Sequence, residues 1–392
     1  MSTFPQGFTW GAATAAHQIE GNNVNSDWWG LENATPSLMA EPSGDACDSY
    51  HRYGEDIELL AGAGLGVYRF SIEWARIEPA PGEYSRAMLD HYQRMIDTCH
   101  ERGVEPVVTL HHFTNPSWLR KDDGGWTGTK VIDHYGRYAE KVMSTLTGLQ
   151  RVCTINEPNM ISTFAGVLSG NGGEPTSDPR ICQTLIAAHR RAVDAIRGAG
   201  AHAGLTLAMT AYTSDGSPEA DAGIASIREY DEDVFIDAAR GDDFLGVQAY
   251  TRRFATSIEV HPHGHEADGP AARQTGTGWN YYPASIGDCL RRAADLAADL
   301  PLIVTENGIA TTDDDERIAY TTAALQSVQA AIADGIDVRG YWHWSLLDNF
   351  EWVHGFGPTF GLVAVDRQTF IRTPKPSLDW LGRVAKANAL PE

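Results

Sequence analysis

The sequence predicts an α/β protein: a (β/α)8 barrel, one domain over residues 1–392, with elaborated loops at the C-terminal face of the strands. Three observations predict it. Strand-like runs alternate with helix-like runs from start to end. Most of the strand runs are apolar on successive residues, as expected for a parallel sheet buried on both faces. Finally, no GxGxxG opens a helix after the first run and no GxxxxGK motif occurs anywhere, which argues against the nucleotide-binding open sheets that would be the main competitor.

Taken in order, the candidate strands are residues 8–14, 66–71, 105–110, 151–156, 204–209, 244–248, 302–305 and 340–344. Between them lie amphipathic stretches, clearest at 86–102, 130–146, 178–197, 218–239, 286–299 and 316–334. A plain barrel needs about 250 residues. The surplus falls to long connections at 21–47, 113–129, 251–283 and 345–374, which are expected to build a pocket. No Pro/Gly/Ser-rich linker or short tandem repeat divides the chain.

Fifty-two acidic residues against thirty basic give a formal charge of −22. That balance disfavours a nucleic-acid partner or an anionic membrane surface and suits simple solubility. The run Asp313-Asp-Asp-Glu316 could suggest a metal cluster, but acids also suit the start of a helix, where the dipole favours them. The N-terminus has neither a charged leader nor an apolar core, so no signal peptide is expected. No apolar stretch is long enough to span a bilayer. Cys47, Cys99, Cys153, Cys182 and Cys289 are odd in number and share no CxxC spacing. They fit reduced packing residues of a cytoplasmic protein.

If the barrel is right, polar residues at the strand C-termini should converge. The first strand offers His17, Gln18 and Glu20, the second Arg69, the third His111 and His112. The fourth ends in Asn156 and Glu157, the sixth leads to Tyr250, the seventh to Glu306 and the eighth to Trp344. The fifth offers little beyond Thr210 and Tyr212. Glu157, in Arg151-Val-Cys-Thr-Ile-Asn-Glu-Pro-Asn159, and Glu306, in Leu302-Ile-Val-Thr-Glu-Asn-Gly308, each close an apolar run rich in β-branched residues. A carboxylate is costly inside such a strand but useful at its mouth. Two of them are the minimum equipment for cleaving a glycosidic bond, by either retention or inversion. Arg69, in a run that should be buried, needs an acid partner; it is either half of a structural ion pair or the charge that keeps a nucleophilic carboxylate ionised. The pair His111-His112 lacks the further ligands a metal site would want, so no metal is expected. Tryptophans 28, 29, 118, 126, 279, 342, 344 and 352 fall mostly in or beside the long connections, where they fit either core packing or sugar stacking.

From 8 to about 377 the chain resembles glycoside hydrolase family 1, the β-glucosidase and β-galactosidase family. Six ordered blocks carry the resemblance: Phe-Thr-Trp-Gly-Ala-Ala-Thr-Ala-Ala-His-Gln-Ile-Glu-Gly at 8–21, Tyr-Arg-Phe-Ser-Ile-Glu-Trp-Ala-Arg-Ile-Glu-Pro at 68–79, Thr-Leu-His-His-Phe-Thr-Asn-Pro at 109–116, Thr-Ile-Asn-Glu-Pro-Asn at 154–159, Val-Thr-Glu-Asn-Gly at 304–308 and Trp-Ser-Leu-Leu-Asp-Asn-Phe-Glu-Trp at 344–352. The resemblance implies a retaining exo-β-glycosidase that needs no cofactor, acting on a small β-glycoside or short oligosaccharide. Terminal β-D-glucosyl groups would be removed, with galactosyl or fucosyl groups as further substrates. Glu157 would be the acid/base and Glu306 the nucleophile, their carboxyls about 5–5.5 Å apart. Arg69 and Tyr250 would support Glu306. Gln18, His112, Asn156, Trp344, Glu351 and Trp352 would bind the glycone. Glu351 would repel a phosphate, so an unphosphorylated glycone is expected, and Glu157 favours O-glycosides over thioglycosides. The alternatives are a transglycosidase using the same intermediate and a sugar-binding barrel without turnover.

Three departures from the family pattern stand out. Gln248-Ala249-Tyr250 replaces the usual Asn-Tyr-Tyr. Residues 170–176 lack the common Pro-Gly turn. The chain is also shorter than most members, chiefly at 251–283 and around the fifth strand, which would leave the leaving-group side more open. Strict strand alternation would point Asn156 and Glu157 to opposite faces. The resemblance implies that the strand ends or bulges there.

Overall fold

Eight parallel strands close on themselves in chain order, each hydrogen-bonded to its sequence neighbours, with the last returning to the first. They are β1 (Thr9–Thr14), β2 (Val67–Ser71), β3 (Glu105–His111), β4 (Arg151–Asn156), β5 (His202–Ala208), β6 (Phe244–Gln248), β7 (Leu302–Glu306) and β8 (Val338–Trp344). A computed structural model of the chain describes residues 3–168, 177–257, 260 and 273–391. The predicted strands are all present, with ends displaced by two residues or fewer. The segment 170–176 and much of 251–283 lie outside the described residues.

Six of the outer helices coincide with the amphipathic stretches, though the one after β5 is broken by a π-turn at Glu229–Asp233. The ring is completed by Ser49–Ala63 and Pro376–Ala387, neither of which the pattern marks clearly. In the first, the buried face holds Asp56 beside Ile57 and Leu60, and Asp56 is paired with Arg372 at 2.8 Å. A charged residue on the inner face blurs the apolar stripe that identifies a helix. The acidic run opens a helix as expected, with Asp313 capping Asp315 and Glu316 at the start of Asp314–Ala333.

Inside the barrel, Val67, Val107, Cys153, Phe244, Ile303 and Trp342 form an apolar plug contributed by six strands. Above it the interior turns polar, with Arg69 and Thr109 one alternation beyond Val67 and Val107, and Thr206 beside them. Gly246 makes room at this level, since a Cβ there would meet Thr206 and Thr305 at 2.6 Å. All five cysteines are buried free thiols. Among the described residues, no helix is long and apolar enough to cross a membrane.

Register shifts lead into both glutamates, and a further one falls between Val338 and Tyr341 of β8. Between β4 and β5 the pairing runs from Cys153 opposite Gly204 to Asn156 opposite Thr206, so β4 carries one extra residue. Between β6 and β7 it runs from Val247 opposite Val304 to Gln248 opposite Glu306, again with one extra residue in β7. Such bulges re-aim the side chains that follow them.

Candidate active site

The C-terminal ends of the strands open into a cavity of about 430 Å³, whose lining includes Glu157 and Glu306. The problem of adjacent residues on opposite faces is solved locally. After the extra residue in β4, Glu157 takes a left-handed conformation, φ +46°, and its N–H donates to the Thr206 carbonyl at 2.8 Å. The turn swings its side chain into the cavity beside that of Asn156. Pro158 then opens the helix Pro158–Leu168. A non-glycine residue held at positive φ is uncommon and is tolerated where the surroundings impose it.

Glu306 is held differently. Arg69, fully buried on β2, donates from Nη1 to Glu306 Oε1 at 2.6 Å, and the Tyr250 hydroxyl donates to Oε2 at 2.6 Å. The residues that follow lock the strand end. Asn307 donates to the Ala249 carbonyl at 2.6 Å and accepts from the Tyr341 hydroxyl at 2.8 Å. Gly308 lies so close beneath the Trp344 carbonyl that a Cβ would come within 1.9 Å of the oxygen, which explains the glycine after Glu-Asn.

The two carboxyls therefore sit in different fields. Burial pushes Glu157 well above the ordinary carboxylate range, and the charges of Glu306 and Glu351 push it further, with only Arg69 opposing. Burial also raises Glu306, but there Arg69 and the hydrogen bonds from Tyr250 and Gln248 act against it. Glu157 is the stronger proton holder and Glu306 the one that ionises first. Tyr250, pushed well above its usual range by burial and by Glu306, stays a donor.

Arg69 also organises the neighbouring amides. It donates from Nη2 to Asn156 Oδ1 at 2.6 Å and from Nε to Thr109 Oγ1 at 3.0 Å. Asn156 Oδ1 accepts two more bonds, from Thr206 at 3.1 Å and Gln248 at 3.0 Å, while Nδ2 contacts His112 Nε2 at 3.1 Å. Burial keeps His112 neutral, so Nε2 accepts and the proton sits on Nδ1.

On the far wall, Gln18 lies in the short helix Ala16–Ile19 and is anchored by Nε2 to Asn349 at 2.9 Å and to the Phe350 carbonyl at 2.7 Å. Trp344 and Trp352 each lie nearly parallel to the His112 ring, with interplanar angles of 24° and 16°. Burial pushes Glu351 up to about 8, with Trp344 opposing and Glu306 and Asp348 adding. Gln18 Oε1, Gln248 Oε1 and Glu351 Oε1 are buried without protein partners among the described residues. Buried polar atoms facing a cavity call for a polar ligand.

All ten residues predicted for the site line this cavity or, as Arg69 does, hold one that lines it. Several other strand-end residues turn away. His111 bonds Asn115 at 3.0 Å, Glu20 pairs with Arg76 at 2.9 Å, and His17 stacks behind Trp352 near Glu32. Among the described residues no cluster of three His, Cys, Asp or Glu could hold a metal ion. Trp28, Trp126, Trp279, Trp344 and Trp352 line the cavity, whereas Trp342 belongs to the plug and Trp118 to the core. Sequence reasoning missed Thr109 and Thr206, which carry Arg69. It also missed the apolar outer wall of Leu38, Phe113, Met160, Phe164 and Val353. Thr109 stands at the head of a matched block and could have been found; of the wall residues, Met160 and Phe164 share one face of the helix Pro158–Leu168 and the others lie on separate connections.

A family model described as Glycosyl hydrolase family 1 matches residues 1–242 and 208–390. The thermostable beta-glucosidase B of Thermobispora bispora is 35% identical, the alignment covering 99% of this chain and 92% of that protein. Among solved structures, beta-glycosidase BGL167 superposes with a TM-score of 0.89 at 43% identity, covering 99% of this chain and 98% of the other. The Thermotoga maritima beta-glucosidase in complex with glucoimidazole gives 0.90 at 28% identity, covering both chains fully at 100%.

Proposed function

The chain belongs to glycosyl hydrolase family 1 and is a glycoside hydrolase, and from that premise we propose a retaining exo-β-glycosidase. It removes terminal non-reducing β-D-glucosyl groups, and galactosyl or fucosyl groups as further substrates, from unphosphorylated O-glycosides. The observation that carries this reading is the asymmetry of two carboxyls around one cavity. Glu157 holds its proton while Glu306 is steadied by Arg69 and Tyr250.

In the first step Glu306 attacks the anomeric carbon as Glu157 protonates the departing oxygen, so the glycosidic bond breaks and a glycosyl ester forms. Glu157, now ionised, takes a proton from water, which displaces Glu306 and releases the sugar with its original configuration. Gln18, His112, Asn156, Trp344, Glu351 and Trp352 bind the glycone, the unpartnered oxygens of Gln18 and Glu351 accepting sugar hydroxyls. No cofactor enters either step. The case against a phosphorylated glycone takes a different form from simple repulsion. At about 8 the Glu351 carboxyl keeps its proton in the empty site at neutral pH. A phosphate on the glycone would raise the cost of ionising that carboxyl, and it would meet an acid there where it needs a cation. The apolar outer wall suits a leaving group with an apolar body. The chain acts as one catalytic domain, and five buried thiols suit a reducing cytoplasm.

The test uses an aryl β-glucoside with wild type and Glu306→Ala, with and without azide. Loss of hydrolysis, rescued as a glycosyl azide of inverted configuration, is expected. Unchanged hydrolysis by the variant would remove the assignment. A sugar-binding barrel without turnover would have no use for Arg69 buried against Glu306.

A further inference from the structure

Gln248 steadies Glu306 by a side-chain hydrogen bond, and it carries a further polar atom that the reaction above leaves unused. It is fully buried at the end of β6, lines the cavity, and pairs in register with Glu306 on one side and Ala208 on the other. The direction of its amide follows from its neighbours. Arg69 can only donate, so the Asn156 atom it meets at 2.6 Å is the oxygen. Gln248 meets that same oxygen at 3.0 Å and must therefore present its nitrogen. Its Oε1 is thereby turned away from Asn156, buried and without a protein partner among the described residues. Asn156, with three donors on Oδ1, cannot flip without setting its NH2 against them. One Nδ2 hydrogen goes to His112 and the second is left for a ligand.

We propose that Gln248 is a specificity-determining residue that reads the hydroxyl next to the anomeric carbon: its Oε1 accepts that hydroxyl's proton while the Asn156 amide it fixes donates to the hydroxyl oxygen. A hydroxyl needs both a donor and an acceptor to be fully satisfied when buried, and these two amides supply one of each. Asn156 shares Arg69 with Glu306, and Gln248 lies beside Glu306 on the neighbouring strand, so the substrate group nearest them is the one on the carbon adjoining the point of attack. Hydrogen bonds at this hydroxyl strengthen in the oxocarbenium-like transition state. The effect therefore falls on the chemical step and not on binding alone. The inference rests on the reading of the site as a retaining β-glycosidase centre. The asparagine usual here in the family is one methylene shorter, so the length of Gln248 lets one residue brace Asn156 and still offer an oxygen to the substrate.

The experiment compares wild type, Gln248→Ala and Gln248→Asn on an aryl β-glucoside and on the matching 2-deoxy-β-glucoside. Gln248→Ala is expected to lower kcat/KM on the glucoside by about 10–100-fold, as for loss of hydrogen bonds to a charged site, mostly in kcat. On the 2-deoxy substrate the loss is expected to be several-fold smaller, what remains reflecting the lost hydrogen bond to Glu306, and Gln248→Asn should fall between. Gln248→Ala should cost less in an Asn156→Ala background than alone, because part of its effect acts through that amide. Equal losses on both substrates, or losses that simply add across the two sites, would overturn the inference. Should Gln248→Ala fold poorly, Gln248→Asn on the two substrates decides the matter by the same ratio. Failure of wild type to hydrolyse any β-glucoside would overturn the underlying reading together with this one. An active wild type whose variants show no 2-hydroxyl selectivity overturns this inference alone.

Discussion

Arg69 and Glu306, on strands three places apart around the barrel, meet at 2.6 Å with the guanidinium wholly out of solvent. Neither group is stable there alone. A buried guanidinium without its acid costs several kcal/mol, and so does a buried carboxylate without its counter-charge. The pair is at once a fixture of the core and the setting of the nucleophile's charge.

Replacing Arg69 by Met removes the charge that opposes the burial of Glu306. The carboxyl then protonates more readily, so the acidic limb of the kcat/KM profile moves to higher pH. The fold should lose about 3–5 kcal/mol, as for a broken buried pair. A pH–rate profile with denaturant titration checks both, and an unmoved acidic limb would contradict the role given to Arg69.

Tyr250→Phe deletes one hydrogen bond to the same carboxylate at nearly constant shape. Hydrogen bonds to charged groups contribute about 1.5–3 kcal/mol, which corresponds to roughly a 10–100-fold fall in kcat/KM. The acidic limb should move in the same direction as for Arg69, by less. Steady-state kinetics across pH would expose a purely structural tyrosine, for which the limb stays in place.

Glu157→Gln retains volume but cannot give or take a proton. The basic limb of the profile, which reports deprotonation of the acid, should disappear. Substrates with poor leaving groups should lose far more rate than dinitrophenyl glycosides, and added azide should restore turnover with retained configuration. A leaving-group series on the variant shows whether proton donation resides here.

Glu351 gives a stability prediction. Its folded pKa of about 8 lies above the unfolded 4.5. A raised carboxyl contributes stability that is present below the unfolded value and lost as pH rises through the folded one. The empty enzyme should therefore lose stability between about pH 4.5 and 8 through this group. Glu351→Gln should flatten that part of a plot of Tm against pH while weakening substrate binding. A plot of unchanged slope would contradict the assignment.

Most of the fold was legible because strand and helix periods differ and the buried parallel strands are continuous apolar runs. The site residues could be named because they lie at strand ends within distinctive blocks. Two things escaped. The extra residues in β4 and β7 leave no trace in an apolar pattern, since a bulge changes register without changing composition. Helix Ser49–Ala63 escaped because its inner face buries Asp56 against Arg372, a pairing that joins residues more than three hundred positions apart. Long-range partners such as Thr206 for Arg69 are likewise set by barrel closure and not by local sequence.

The backbone at Glu157 has a practical corollary for anyone improving this enzyme. Its φ of +46° is one that glycine adopts at no steric cost. Its carboxyl is buried near two others that repel it. Glycine there would relieve both penalties at once. A library sorted by heat resistance alone should enrich Glu157→Gly, more durable and inactive, so selection has to be made on turnover before temperature.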